Sequence, residues 1–131
     1  MKMKESSHPL YSERLLDHFH NPRNAGELPA PAQTVTSVNP ACGDELKLSA
    51  RVESGVIVEA RFQARGCTAA IACGSALTVW LSGRAVDELK QAAPEAVAQA
   101  VESEAGGLAV ESRHAAVLAA DAARLLVRRL G

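Results

Sequence analysis

Two short segments of this chain combine cysteine, aspartate and glycine in a pattern suited to metal binding. They are PACGD at residues 40–44 and GCTAA at residues 66–70. The thiolates of Cys42 and Cys67 and the carboxylate of Asp44 are good donors for zinc or iron. The glycine between Cys42 and Asp44 permits a sharp turn between two ligands. The alternative is that both cysteines are small buried residues and that Asp44 belongs to a turn.

The element that must position these residues is a β-hairpin. Apolar and polar residues alternate over residues 46–52 and again over 56–64, and Ser54-Gly55 separates the two arms. This alternation on both sides of a two-residue turn predicts an antiparallel pair. It places Val56, Val58, Ala60, Phe62 and Ala64 on the apolar face. An antiparallel hairpin returns the chain to its starting point, so the pattern predicts the three donors at one end of a sheet.

The remaining pattern predicts the layer that covers this sheet. We expect a third strand at residues 34–38 and helices at residues 13–20, 68–82, 86–92, 94–104 and 112–130. Ser12 is a candidate cap for the first helix, and the last helix carries an apolar stripe of Val117, Leu118, Ala122, Leu125 and Leu126. Strands followed by helices predict an α+β fold. We expect a three-stranded antiparallel sheet covered on one face by helices, forming a two-layer single domain at residues 11–131 after a flexible tail at residues 1–10.

Composition and charge narrow the classes of function. The formal net charge is −1, which argues against a nucleic-acid-binding protein because such proteins carry a basic patch. The arginines near the C-terminus are expected to offset the dipole of the last helix; they are Arg124, Arg128 and Arg129. No apolar run approaches the roughly 18–20 residues of a membrane span, and the first eight residues lack a signal-peptide stretch. We therefore expect a cytoplasmic protein.

The cysteine count and the absence of a catalytic set favour metal chemistry over enzymatic catalysis. Three cysteines in a reducing compartment indicate thiol or metal chemistry rather than disulfides. The sequence shows no combination of nucleophile, base and orienting residue, so we do not expect an enzyme.

Four motifs of the chain resemble one known family. YSERLLDHF at residues 11–19, followed by NPRN at residues 21–24, looks like the opening signature of the IscU/NifU-type scaffold family. The PACGD segment and the Gly66-Cys67 pair followed by AIA at residues 70–72 resemble later motifs of the same family, in the same order. The resemblance implies a scaffold on which iron and sulfide form a [2Fe–2S] cluster for transfer to acceptor proteins. It also implies a cysteine desulfurase as partner and sulfur source, and zinc as a possible occupant.

The resemblance further implies which residues form the site. The family pocket contains three cysteines and an aspartate, and by motif match Cys42, Asp44 and Cys67 take three of these positions. His114 takes the position of a histidine that often precedes the third cysteine, and Ala115 takes the position of that cysteine. The resemblance therefore implies a divergent member that lacks the usual acceptor of persulfide sulfur. The four donors, with His114 included, suit tetrahedral zinc or a [2Fe–2S] cluster; otherwise His114 is a partly exposed residue at a helix N-terminus.

Other positions carry weaker predictions. Cys73 lies about 240° around and about 9 Å along the same helix from Cys67, so we expect a small buried residue. The alternative is that Cys73 accepts sulfur after local unwinding. His18 and His20 are expected to interact with the negative end of the first helix dipole. Residues 108–112 read LAVES where many bacterial relatives carry a segment bound by a dedicated Hsp70 chaperone, so that partner is not expected.

The sequence leaves two functions open. The first is a cluster scaffold or carrier, which the intact Cys42, Asp44 and Cys67 segments favour. The second is a divergent zinc-binding or regulatory protein of the same fold without scaffold activity, which the alanine at position 115 favours. The sequence leaves the oligomeric state undetermined.

Overall fold

The structure is a computed structural model that describes residues 11–130. The expected flexible tail at residues 1–10 and the last residue of the expected domain lie outside the described residues. The strands are β1 (Gln33–Val38), β2 (Glu45–Glu53) and β3 (Val56–Arg65). The helices are α1 (Glu13–His20), α2 (Thr68–Leu81), α3 (Val86–Gln91), α4 (Pro94–Glu104) and α5 (Arg113–Leu130), with a short 3₁₀ turn at Val110–Ser112. The predicted α+β fold with a three-stranded antiparallel sheet is confirmed.

The central hairpin forms as the alternation of residue types predicts. Strand β2 pairs with β3 from Glu45 opposite Arg65 to Glu53 opposite Val56. The two residues of the turn both adopt positive φ, 53° at Ser54 and 76° at Gly55, as a type I′ hairpin turn requires. The hairpin therefore begins and ends at the same edge of the domain.

One part of the predicted strand pattern is wrong. Arg51 pairs with Glu59, whereas Val52 pairs with Ile57, so Val58 is an extra residue that forms a β-bulge. The bulge changes which side chains face the core. Ile57 is fully buried, and Val58 is 41% exposed instead of lying on the apolar face.

Helices α2 and α5 pack against the sheet and contribute most of the helical part of the core. A side chain at Gly74 of α2 would come within 2.5 Å of the Phe62 ring, so a glycine here lets the helix approach the sheet closely. The core face of α5 includes Leu118, Ala122 and Leu126. The predicted inclusion of Val117 in this face is wrong, since its position on the helix leaves it 53% exposed.

Helix α1 is held against α2 by a buried polar contact that the sequence did not reveal. Ser12 caps α1 as predicted, with its hydroxyl accepting the N–H of Leu15 at 3.0 Å. His18 is buried, and its Nδ1 lies 2.7 Å from Oγ of Ser75. The same Oγ accepts the N–H of Arg23 at 2.8 Å, so one hydroxyl ties α1 and the following loop to α2. Between residues 11 and 130, no helix is both long enough and apolar enough to cross a membrane.

Candidate metal centre

The loop before β2 holds Asp44 at the open end of the hairpin. The N–H of Asn39 donates to the carbonyl of Asp44 at 2.8 Å, and the N–H of Gly43 donates to the carbonyl of Asn39 at 2.7 Å. Gly43 has a φ of 79°, a conformation that other residues adopt with strain. These contacts close a short loop that leaves Cys42 exposed and buries Asp44.

Gly66, between β3 and α2, makes room for the Asp44 side chain. Its φ is 146°, and a Cβ at this position would lie 2.4 Å from Oδ1 and 2.5 Å from Cγ of Asp44. The carboxylate thus occupies the space that any other residue at position 66 would need. The motif at residues 66–70 includes this glycine, but the sequence alone does not indicate its contact with Asp44.

Cys67 follows as the N-cap residue of α2 and is half-buried. Its thiol donates to Oδ2 of Asp44 at 3.4 Å. Burial raises the pKa of the Cys67 thiol and the Asp44 carboxylate raises it further, whereas the N–H groups of Ala70 and Ala69 lower it. In the metal-free protein Cys67 is therefore held as a thiol, and a metal ion has to displace its proton on binding.

His114, in the first turn of α5, faces Cys67 and Asp44 across the end of the sheet. Its Nδ1 lies 3.0 Å from the backbone carbonyl of Glu111, and because a carbonyl can only accept, Nδ1 carries the proton. In the neutral ring the other nitrogen, Nε2, then presents its lone pair to the site. This nitrogen lies 3.7 Å from Sγ of Cys67 and 3.8 Å from Oδ2 of Asp44.

The spacing of these donors fits one small cation. A zinc ion about 2.0–2.3 Å from each of its four ligands has ligand atoms about 3.3–3.8 Å apart. The three distances among Asp44, Cys67 and His114 are 3.4, 3.7 and 3.8 Å. Cys42 joins from the solvent side, since Cys42, Asp44 and His114 offer ligand atoms within 4.8 Å of one another. The structure thus groups Asp44 and His114 with each of the two predicted cysteines, with Cys67 in one set and with Cys42 in the other.

The remaining sulfur and imidazole groups lie elsewhere. Cys73 is fully buried, and burial raises the pKa of its thiol to about 12, as expected of a small core residue. His18 packs against Ser75 rather than only closing the first helix as expected. His20 is exposed. These three residues lie outside the group of donors at the end of the sheet.

Comparisons with known proteins show the family to which this chain is similar. Residues 10–129 match the family described as the NifU-like N terminal domain. The iron-sulfur cluster assembly scaffold protein IscU 1 of Archaeoglobus fulgidus is 38% identical over 115 residues, which span 88% of this chain and 72% of that protein. The iron-sulfur cluster assembly scaffold protein IscU of Escherichia coli is 36% identical over 121 residues, 89% of this chain and 91% of its own.

The fold is also similar to a solved structure. The N-terminal part of a nitrogen-fixing NifU-like protein from Brucella abortus superposes with a TM-score of 0.74. The match covers 92% of this chain and 94% of that chain at 22% sequence identity. The similarity to this structure concerns the fold alone.

Proposed function

The chain belongs to the NifU-like N-terminal domain family, and we propose that it is an iron–sulfur cluster assembly scaffold or carrier. In this proposal Cys42, Asp44, Cys67 and His114 hold iron or a [2Fe–2S] cluster, which then passes to acceptor proteins. Support comes from the relatives in Archaeoglobus fulgidus and Escherichia coli that are named as assembly scaffolds.

The observation that carries the proposal is two overlapping sets of donors at the end of the sheet. Asp44 and His114 lie within 4 Å of Cys67 and offer ligand atoms within 4.8 Å of the Cys42 thiol. Thiolates and imidazole suit iron, zinc and iron–sulfur clusters, and clusters with mixed cysteine and histidine ligation are known. Zinc fits the same donors, so it is a competing occupant.

The exposure of the donors suits cargo that arrives and leaves. Asp44 is buried, Cys67 is half-buried and Cys42 is exposed, so a bound ion or cluster would be reached from the Cys42 side. A carboxylate is a harder ligand than a thiolate and binds soft iron–sulfur centres less tightly. A site with only two thiolates is therefore expected to hold its cargo less firmly than a site with four.

The alanine at position 115 limits how sulfur reaches the site. Ala115 is 1% exposed, and in this proposal it takes the position of the family's third cysteine. We expect sulfur to arrive from a cysteine desulfurase without a persulfide at this position. A cytoplasmic location, the absence of catalysis by the chain itself and the lack of a dedicated Hsp70 partner remain predictions.

Metal and sulfide analysis of anaerobically purified protein tests the proposal. The parent is compared with a Cys42→Ser/Cys67→Ser variant and with Cys73→Ala, a control that removes a thiol outside the site. Iron and sulfide present in the parent and in Cys73→Ala, but lost from the double variant, would support the scaffold. Zinc alone, lost in the same way, would instead favour a zinc-binding member of the fold. If all three proteins lacked both iron and zinc, this result would contradict the proposed site.

A further inference from the structure

Strand β1 has an outer edge that no described residue pairs with. It lies at one side of the sheet in the order β1–β2–β3 and pairs through its inner side with β2. Between residues 11 and 130, no backbone hydrogen bond outside this pairing involves residues 33–38. The opposite edge, β3, is partly covered by bridges from Ala25 and Ala85. The sequence of β1, QTVTSV, contains no proline and no charge, the features that usually prevent an edge strand from pairing with another chain.

Two hollows of about 400 and about 280 Å³ lie between this strand and helix α5, one after the other along the helix. The two hollows together are called the groove. The first is lined by Val35, Thr36, Leu125 and the two arginines at the end of α5, Arg128 and Arg129. The second includes Val38, exposed by 54%, and Val117, exposed by 53%, and it ends at His114. One end of the groove is therefore basic, and the other end lies at the candidate metal centre.

The length of the groove matches a short β-strand. His114 and Arg128 are separated by 14 positions of one helix, which corresponds to about 21 Å. A strand rises about 3.3 Å per residue, so six or seven extended residues span that distance. Strand β1 itself contains six residues, and an added strand of this length would pair along all of it.

The charges along the groove give the added strand a direction. Arg128 and Arg129 are exposed, and neither forms an ion pair within the described part of the chain. Asp121, paired with Arg124 at 3.4 Å, lines the second hollow, and the buried Asp44 lies 3.8 Å from His114 at the far end. Carboxylates of a bound segment would therefore be attracted to the arginine end and repelled along the rest of the groove.

We propose that this groove binds an extended, acidic segment of a partner protein by strand addition to β1. The segment is six or seven residues long and runs antiparallel to β1, the more stable arrangement. Its acidic residues are near its carboxyl end, beside Arg128 and Arg129, and its amino end lies beside Val38 and His114. Binding itself is independent of metal. Only its consequence, that a partner is brought to the metal centre, rests on the proposed function.

A synthetic peptide tests the proposal with metal-free protein. The probe has five alternating valine and threonine residues followed by two aspartates, with a fluorophore at its amino end, and binding is followed by fluorescence anisotropy. Arg128→Glu/Arg129→Glu is expected to weaken binding by about tenfold or more because attraction becomes repulsion. The matched control is Arg14→Glu/Lys90→Glu, which makes the same change of charge at exposed residues outside both hollows and should bind within about twofold of the parent.

Methylated peptides separate strand addition from simple charge attraction. Alternate amides of an added strand donate to β1, and the others face away. Methylation of the nitrogens that donate to β1 should therefore abolish binding. Methylation of the nitrogens that face away should leave binding unchanged. If both methylated peptides bound equally well, or if both charge variants weakened binding equally, the proposal would be overturned. A dimer through β1 in sedimentation experiments that excludes the peptide would also overturn it. The assay needs no metal, so its failure leaves the iron and sulfide measurements unaffected.

Discussion

Replacement of Gly66 by alanine should damage both the stability of the fold and the metal centre. The new Cβ would lie 2.4 Å from Oδ1 of Asp44, whereas ordinary contacts begin near 3.4 Å. The carboxylate therefore has to move by roughly 1 Å. Asp44 lies 3.4 Å from Cys67 and 3.8 Å from His114, so this movement also separates the donors.

The expected magnitude has two parts. Backbone strain at a φ of 146° costs about 1–3 kcal/mol for a residue other than glycine. Overpacking against the buried carboxylate adds about 1–3 kcal/mol. We expect the free energy of unfolding of Gly66→Ala to fall by about 2–6 kcal/mol and zinc affinity to fall by about tenfold or more, as for the loss of a positioning contact.

Gly43→Ala is the matched control. Its φ of 79° is also positive, but no atom lies within 4 Å of the added Cβ. Strain alone predicts a loss of about 1–2 kcal/mol, with zinc affinity within a few fold of the parent. Urea unfolding measures the stabilities, and competition with a chromophoric chelator measures the affinities.

A double variant decides whether the contact with Asp44 is the cause. In Gly66→Ala/Asp44→Ala the contacts with Oδ1 and Cγ are removed and only the 3.0 Å contact with Cβ of residue 44 is left. The double-mutant cycle should therefore show a favourable coupling of about 1–3 kcal/mol. No coupling within error would refute the reasoning. A Gly66→Ala protein that unfolds and binds zinc like the parent would refute it as well.

Three further predictions follow from the burial and contacts of single side chains. Burial lowers the pKa of His18, with Arg23 adding to the effect, so below pH 6.5 the unfolded chain takes up a proton first and stability should fall. Urea midpoints at pH 7.5 and 5.5 should differ less in His18→Gln than in the parent or in His20→Gln, a change at an exposed residue. Iodoacetamide at pH 8 should modify exposed Cys42 and spare Cys73, because burial raises the pKa of the Cys73 thiol to about 12. Peptide mass spectrometry measures the labelling, and equal labelling of the two cysteines in the folded protein would contradict this prediction. His114→Ala should lower zinc affinity by about tenfold or more if Nε2 is a ligand, and unchanged affinity in the chelator competition would remove it from the site.

The sequence predicted most of the fold because its signals are local. The alternation on both sides of Ser54-Gly55 predicted the hairpin, and Ser12 marked the start of the first helix. The bulge at Val58 escaped prediction because it depends on the register between two strands rather than on the pattern within one. The burial of His18 depends on Ser75, which is 57 positions away.

The sequence predicted some residues of the candidate site from local pattern, and others only from the family resemblance or not at all. The hairpin argument alone placed Cys42, Asp44 and Cys67 together, since antiparallel arms must end side by side. His114 entered only through the family resemblance, because nothing in the local pattern indicates that α5 begins beside the hairpin. The structure places its Nε2 within 4 Å of two of these donors, but its role as a ligand stays a prediction. The fit of Asp44 against Gly66 is a tertiary contact that no motif could indicate.

If the proposed function holds, the division of the donors between two parts of the fold determines how long cargo stays bound. One hairpin supplies Cys42, Asp44 and Cys67, whereas His114 lies 47 positions beyond Cys67 on α5. Proteins open locally at free energies well below that of global unfolding. Opening of the first turn of α5 would withdraw the imidazole and leave the hairpin intact. Residence time would then be set by this local equilibrium, and a partner that contacts the start of α5 would control release without unfolding the scaffold.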